Sequence, residues 1–168
     1  MQKLRVIQKP RPKPKSPENF GQMRIFFIES VSPIEFIEET SEAESLKLIS
    51  EQIGHEVGLL RAFSNEDFEK ACEYISSIPD FGSYNKKEKK SLCIHISTHG
   101  CETGLSFGKD NLSWQDIFEK MKPIFEMNYN GPLILTISSC LANRQKIHQN
   151  LSSAAKTIEG FCPRSISF

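Results

Sequence analysis

The chain has 168 residues, 38% of them hydrophobic and 25% charged, and its 21 basic and 21 acidic side chains leave a formal net charge of +0. That length suits a single domain burying around 70% of its unfolded surface. With the two signs mixed and balanced, no global field draws the chain to nucleic acid or to a membrane.

No apolar run approaches the roughly 18 residues that a bilayer span requires. The basic N-terminus is not followed by the apolar core of a secretory leader, so a soluble, cytoplasmic protein is expected. Cys72, Cys93, Cys101, Cys140 and Cys162 are odd in number and form no CxxC pair. That usage fits a reducing compartment better than a disulfide framework.

Residues 1–22 interleave Lys3, Arg5, Lys9, Arg11, Lys13 and Lys15 with Pro10, Pro12 and Pro14. They read as a basic, polyproline-like tail or linker, and residues 23–168 as the folded domain. Met23–Ser30 is an apolar, β-prone run and the expected first strand. Ser41-Glu42-Ala43-Glu44 has the spacing of a capping box, and Leu46, Ile49 and Ile53 continue on one helical face.

Val57–Phe63 is the second strand, after which Ser64 or Asn65 caps a helix bearing Phe68, Cys72 and Ile75. Pro79–Lys90, with Gly82 and a lysine-rich run, is an exposed connection.

Two further apolar runs follow: Leu92–Gly100, and Leu133 to Cys140. Near-continuous apolar runs are how strands of a parallel sheet covered on both faces are written. Between the two, Gly108–Pro132 reads as a turn, an amphipathic helix and a return loop, with Ser113 as cap and Trp114, Ile117, Phe118 and Met121 as its buried stripe. Such a segment is a right-handed crossover joining adjacent parallel strands. A polar helix over Arg144–Lys156 and a short closing strand in Gly160–Phe168 complete an α/β layered domain of up to five strands.

Ligands of such sheets collect beyond the carboxyl ends of the strands, and His99 and Cys140 stand there. A thiol with a free pKa near 8.5 becomes an effective nucleophile when an imidazole takes its proton. Gly100 carries no Cβ, so a carbonyl can approach its N–H closely. With the N–H of Cys140 it would form an oxyanion hole. The expected reaction is acyl transfer: attack on a peptide carbonyl, protonation of the leaving amine by His99, and hydrolysis of the thioester, with no metal or organic cofactor.

The stretch Ile96–Gly108, with its His99-Gly100 pair and a following glycine-containing hairpin, resembles the corresponding segment of caspase-like cysteine peptidases. It is especially similar to bacterial CHAT-domain proteases, in which a Ser-x-Cys or similar element ends the next strand, here Ile137-Ser138-Ser139-Cys140. The resemblance implies a caspase-like three-layer sandwich on a mostly parallel sheet. It also implies endopeptidase action on a protein substrate, as a regulated effector in bacterial defence or signalling. A regulatory protein or a second copy is an expected partner, through a sheet edge left open by a short C-terminal part.

Other groups carry weaker signals. Glu102, Asp110 and Asp116 read as solvated loop charges, or as ligands for a basic substrate residue or groups orienting the imidazole. Arg144 would meet an acidic substrate side chain instead. His95 sits inside the apolar run and is read as structural, and Cys72 as core. Cys93, His95, Cys101 and Cys140 match no common zinc spacing. A catalytically silent binding or scaffold module is the competing function, and a nucleotide-binding domain is disfavoured by the lack of GxGxxG or GxxxxGK[ST] after the first strand.

Overall fold

The computed structural model describes residues 22–38, 41–78, 90–101, 103–127, 129 and 131–139. The expected basic tail (but for Gln22), most of the lysine-rich connection, Glu102, Cys140, Arg144, the polar helix over 144–156 and the closing strand lie outside the described residues.

Strand β1 (Met23–Glu29) leads through a short helix α1 (Pro33–Ile37) to α2 (Glu42–Gln52), and then to β2 (Glu56–Arg61) and α3 (Asn65–Ser77). Next come β3 (Ser91–Ser97) and a meander of β4 (His99–Cys101), β5 (Gly104–Phe107) and β6 (Asp110–Ser113). Helix α4 (Trp114–Glu126) and strand β7 (Leu133–Ser138) follow.

β1, β2, β3 and β7 form a four-stranded sheet in the order β2-β1-β3-β7, and every pairing is parallel. The α/β three-layer sandwich on a parallel sheet that the resemblance implies is the observed architecture. The crossover from β3 to β7 sets Ser97 directly opposite Ser138.

Strand alternation sends Phe26, Ile28, Leu92, Ile94 and Ile96 to one face, where they meet Phe68 and Ile75 of α3 and Ile117 and Met121 of α4 in the larger core. Ile25 and Phe27 face the other way, toward Ala43 and Leu46 of α2.

Four expectations change. Ile49 and Ile53 do not bury; they are 56% and 67% exposed, while Ala43 is 0% exposed. The cause is at the start of α2, where the buried Glu29 carboxylate accepts from the Ala43 N–H (3.0 Å) and the Ser41 hydroxyl (2.8 Å). That anchor turns Ala43 toward the sheet and leaves Ile49 and Ile53 off the inward stripe. Only half of the expected capping box forms: Ser41 Oγ accepts the Glu44 N–H at 3.0 Å, and the Glu44 carboxylate goes to Arg61 instead.

The run 92–100 is also two strands rather than one. It divides at Thr98, whose N–H donates to Ser138 O (3.1 Å) and whose hydroxyl donates to Ser106 O, so that one residue straddles both sheets.

The antiparallel β4-β5-β6 meander includes β6, where a turn was expected. Gly108 turns it with φ +60, and a Cβ there would meet Phe63 O at 2.0 Å, so glycine is required twice over. Leu105, Phe107 and Leu112 sink into the larger core, Phe107 stacking on Phe68 at 4.4 Å between ring centroids. This fixes the base from which His99 projects. Among the described residues no helix is long and apolar enough to cross a membrane.

Candidate active site

At the carboxyl ends of β1, β3 and β7 lies an open cleft of about 340 Å³ lined by Glu29, Ser30, Val31, Glu35, Glu42, Ser97, Thr98, His99, Ser138 and Ser139. Its floor is organised by carboxylates whose partners lie far away in sequence. Glu29, 1% exposed, is paired with Arg61, which also reaches Glu44 at 3.0 Å. Burial pulls the Arg61 guanidinium below its ordinary value.

Glu42, the first residue of α2, accepts hydrogen bonds from Ser97 Oγ at 2.8 Å and Ser138 Oγ at 3.1 Å. It therefore clamps the two strand ends that the parallel register places side by side.

His99 stands above this floor with its side chain 62% exposed, its Nε2 3.2 Å from Glu35 Oε2. Glu35 is itself held by Ser32, whose N–H donates to Oε2 at 2.7 Å and whose hydroxyl accepts the Glu35 N–H at 3.2 Å. That reciprocal pair is a capping box, with Pro33 at the first helical position, where its fixed φ suits the turn. Hydrogen bonds from Ser32, then from His99, hold the Glu35 carboxyl below its ordinary value.

Sequence reasoning singled out neither Glu35 nor Glu42. The Ser32-Pro33-Ile34-Glu35 spacing was a readable signal for the first, and nothing local marked the second.

Of the residues singled out beforehand, His99 lines the cleft and Gly100 follows it in β4, directly opposite Leu105. Asp110 lies two strands away from His99 at the β5–β6 turn, where its carboxylate accepts the Asn65 N–H at 2.8 Å and ties the meander to α3. Asp116 caps α4 through Ser113. Cys140, Glu102 and Arg144 lie outside the described residues, but Ser138 and Ser139, which lead to Cys140, share the cleft with His99.

No family profile and no curated protein matches the chain. Among solved structures it is similar to one described as pro-sf-caspase-1, with a TM-score of 0.48 and 14% identity over 74% of this chain and 52% of that one. It is also similar to the crystal structure of caspase-1 from Spodoptera frugiperda, with a TM-score of 0.46 and 15% identity over 83% of this chain and 57% of that one. The chain thus spans little more than half the length of these structures.

Among the described residues, His95, Cys72 and Cys93 serve the fold. His95 donates or accepts through Nδ1 with Thr136 Oγ1 at 2.8 Å and meets the Phe27 ring edge-on, and burial pulls its pKa below the ordinary value. Burial pushes the Cys72 thiol up to about 12 and raises that of Cys93. Among the described residues no group of three His, Cys, Asp or Glu side chains is placed to hold a metal ion.

Proposed function

We propose that this chain is a cysteine endopeptidase in which His99 and Cys140 act as a dyad. One observation carries the reading. Ser97 and Ser138 are register partners on adjacent parallel strands, and His99 and Cys140 each follow their serine by two residues. Register-paired strand ends that each lead, two residues on, to a base or a thiol support this reading, because dyad chemistry needs the two groups side by side beyond the carboxyl ends of one sheet.

In the proposed cycle the Cys140 thiol passes its proton to His99 as sulfur attacks a peptide carbonyl. The oxyanion is met by the N–H groups of Gly100 and Cys140, and each such donor typically contributes about 2.7 to 4 kcal/mol to the transition state. His99 then returns the proton to the leaving amine. A water, deprotonated by His99, cleaves the thioester and restores the thiol.

The wider reading is a CHAT-type, cytoplasmic effector of bacterial defence or signalling, with a dedicated protein substrate and a regulatory partner or second copy. Glu102, Asp110 and Arg144 are its candidate substrate contacts, and Asp110 already holds the Asn65 N–H through one carboxylate oxygen.

Alkylation by iodoacetamide at neutral pH, read by site-resolved mass spectrometry, tests the dyad. Among the described thiols, those of Cys72 and Cys93 are raised by burial and stay protonated and slow there, and site-resolved detection separates Cys140 from Cys101 and Cys162. Fast labelling of Cys140 that collapses in His99→Ala is expected, together with loss of substrate cleavage in Cys140→Ala. Labelling indifferent to His99 would transfer the chain to the binding-module reading.

A further inference from the structure

We propose that Glu35 is a positioning residue for the His99 imidazole, a third member of the site that the dyad leaves out. The inference rests on the endopeptidase reading. Three observations carry it, and the first is reach: Glu35 Oε2 lies 3.2 Å from His99 Nε2.

The second is preorganisation. The same oxygen accepts the Ser32 N–H at 2.7 Å, and Ser32 Oγ accepts the Glu35 N–H at 3.2 Å, so the carboxylate is fixed by α1 before it meets the imidazole. The third is that the other carboxylates of the cleft are engaged elsewhere. Glu29 is held by Arg61, Ser41 and Ala43, and Glu42 by Ser97 and Ser138.

A fixed anionic acceptor at Nε2 selects the tautomer that carries its proton there. Nδ1 then holds the lone pair, and among the described residues it has no hydrogen-bond partner. Nδ1 is therefore the nitrogen that takes the Cys140 proton. The resulting imidazolium keeps its Nε2–H on Glu35 while Nδ1–H is delivered to the leaving amine, so the ring need not turn between the two transfers. Glu35 stays ionised throughout, because the Ser32 bonds favour its charged form.

The test compares wild type with Glu35→Ala, Glu35→Gln and Glu35→Asp, reading the His99 tautomer from imidazole ¹⁵N shifts and the rate of Cys140 alkylation by iodoacetamide. Aspartate separates positioning from helix capping. It keeps a carboxylate that can cap, as Asp116 does at the same position of α4, but withdraws it from the ring by one carbon–carbon bond.

Wild type is expected to hold Nε2–H. In Glu35→Ala and Glu35→Asp the tautomers mix and Cys140 labelling slows about tenfold, as expected for a group acting through orientation. Glu35→Gln, which still offers an acceptor oxygen, falls between. Two results overturn the proposal while leaving the dyad in place: His99-dependent labelling that is unchanged in Glu35→Ala, or Glu35→Asp behaving as wild type in both readouts. Labelling indifferent to His99 itself overturns the dyad, and Glu35's role falls with it.

Discussion

The sheet face under α3 and α4 differs from the face under α2 in what holds it together. On the first, Phe68, Ile75, Ile94, Ile96, Phe107, Ile117 and Met121 are at most 2% exposed and touch hydrocarbon. On the second, Ile25, Phe27 and Ala43 form a thin apolar patch. Around it stand the half-buried His95, the buried Glu29 and Ser97, and Glu42 at the helix start.

Apolar packing is non-directional and proportional to area, so it holds the layers but aims nothing. Hydrogen bonds and ion pairs aim side chains, and leaving one partner unmatched is costly. The groups that could do chemistry gather where hydrocarbon gives way to directional contacts, beside the start of α2. The α3/α4 face anchors the meander from which His99 projects.

That contrast can be broken on its apolar side first. Phe68→Ala removes a ring that stacks on Phe107 and is 0% exposed. It should cost roughly 4 kcal/mol in urea unfolding through lost transfer energy and the cavity left behind. A cost under about 1 kcal/mol would show that the α3/α4 face is not the main store of stability.

The polar face answers to charge rather than volume. Glu29→Gln leaves Arg61 without its buried anion and should cost roughly 3 kcal/mol, the expected penalty for breaking one partner of a buried pair. The double variant Glu29→Gln/Arg61→Met should regain part of that loss, because no buried charge is left without its partner and Glu44, which loses Arg61, is exposed. A smaller change bears on the meander: Ser113→Ala removes the α4 cap, in which Ser113 and Asp116 exchange bonds. It should lower stability by about 1 kcal/mol.

The smallest expected effect is a pH dependence. His95 has a pKa below its ordinary 6.5 because burial disfavours the charged ring, with the Glu42 charge opposing this. Below about pH 6.5 the unfolded chain binds a proton that the native chain does not. Stability should therefore fall as pH drops from there toward the lowered native value. In His95→Gln that part of the slope vanishes, and an unchanged slope in thermal melts at ~pH 7.5 and ~pH 5.5 would assign it elsewhere.

Much of the α/β alternation was legible in the residues. The apolar runs at Met23, Leu92 and Leu133 became parallel strands, and Ser64 and Ser113 cap helices through their hydroxyls as their spacing suggested. The break at Thr98 was not legible, because Leu92–Gly100 is one uninterrupted β-prone run. The acceptor for the Thr98 hydroxyl that marks the division is the Ser106 carbonyl, in a strand formed later in the chain. The orientation of α2 was misread for a related reason. Periodicity identifies an apolar stripe, but here an anchoring carboxylate decides which stripe turns inward.

The sequence by itself determined a layered α/β domain on a parallel sheet, and it singled out a histidine followed by glycine and a cysteine at two strand ends. Those signals are local: they lie in hydrophobic period, cap spacing and residue type within single segments. The adjacency of β3 and β7 was readable in the crossover between them, but only the tertiary structure decided their register, that Glu42 clamps Ser97 to Ser138, and that Glu35 reaches His99. Each of those contacts joins residues remote in sequence, and which remote groups meet depends on how the layers stack, a property of the folded chain that no single segment contains.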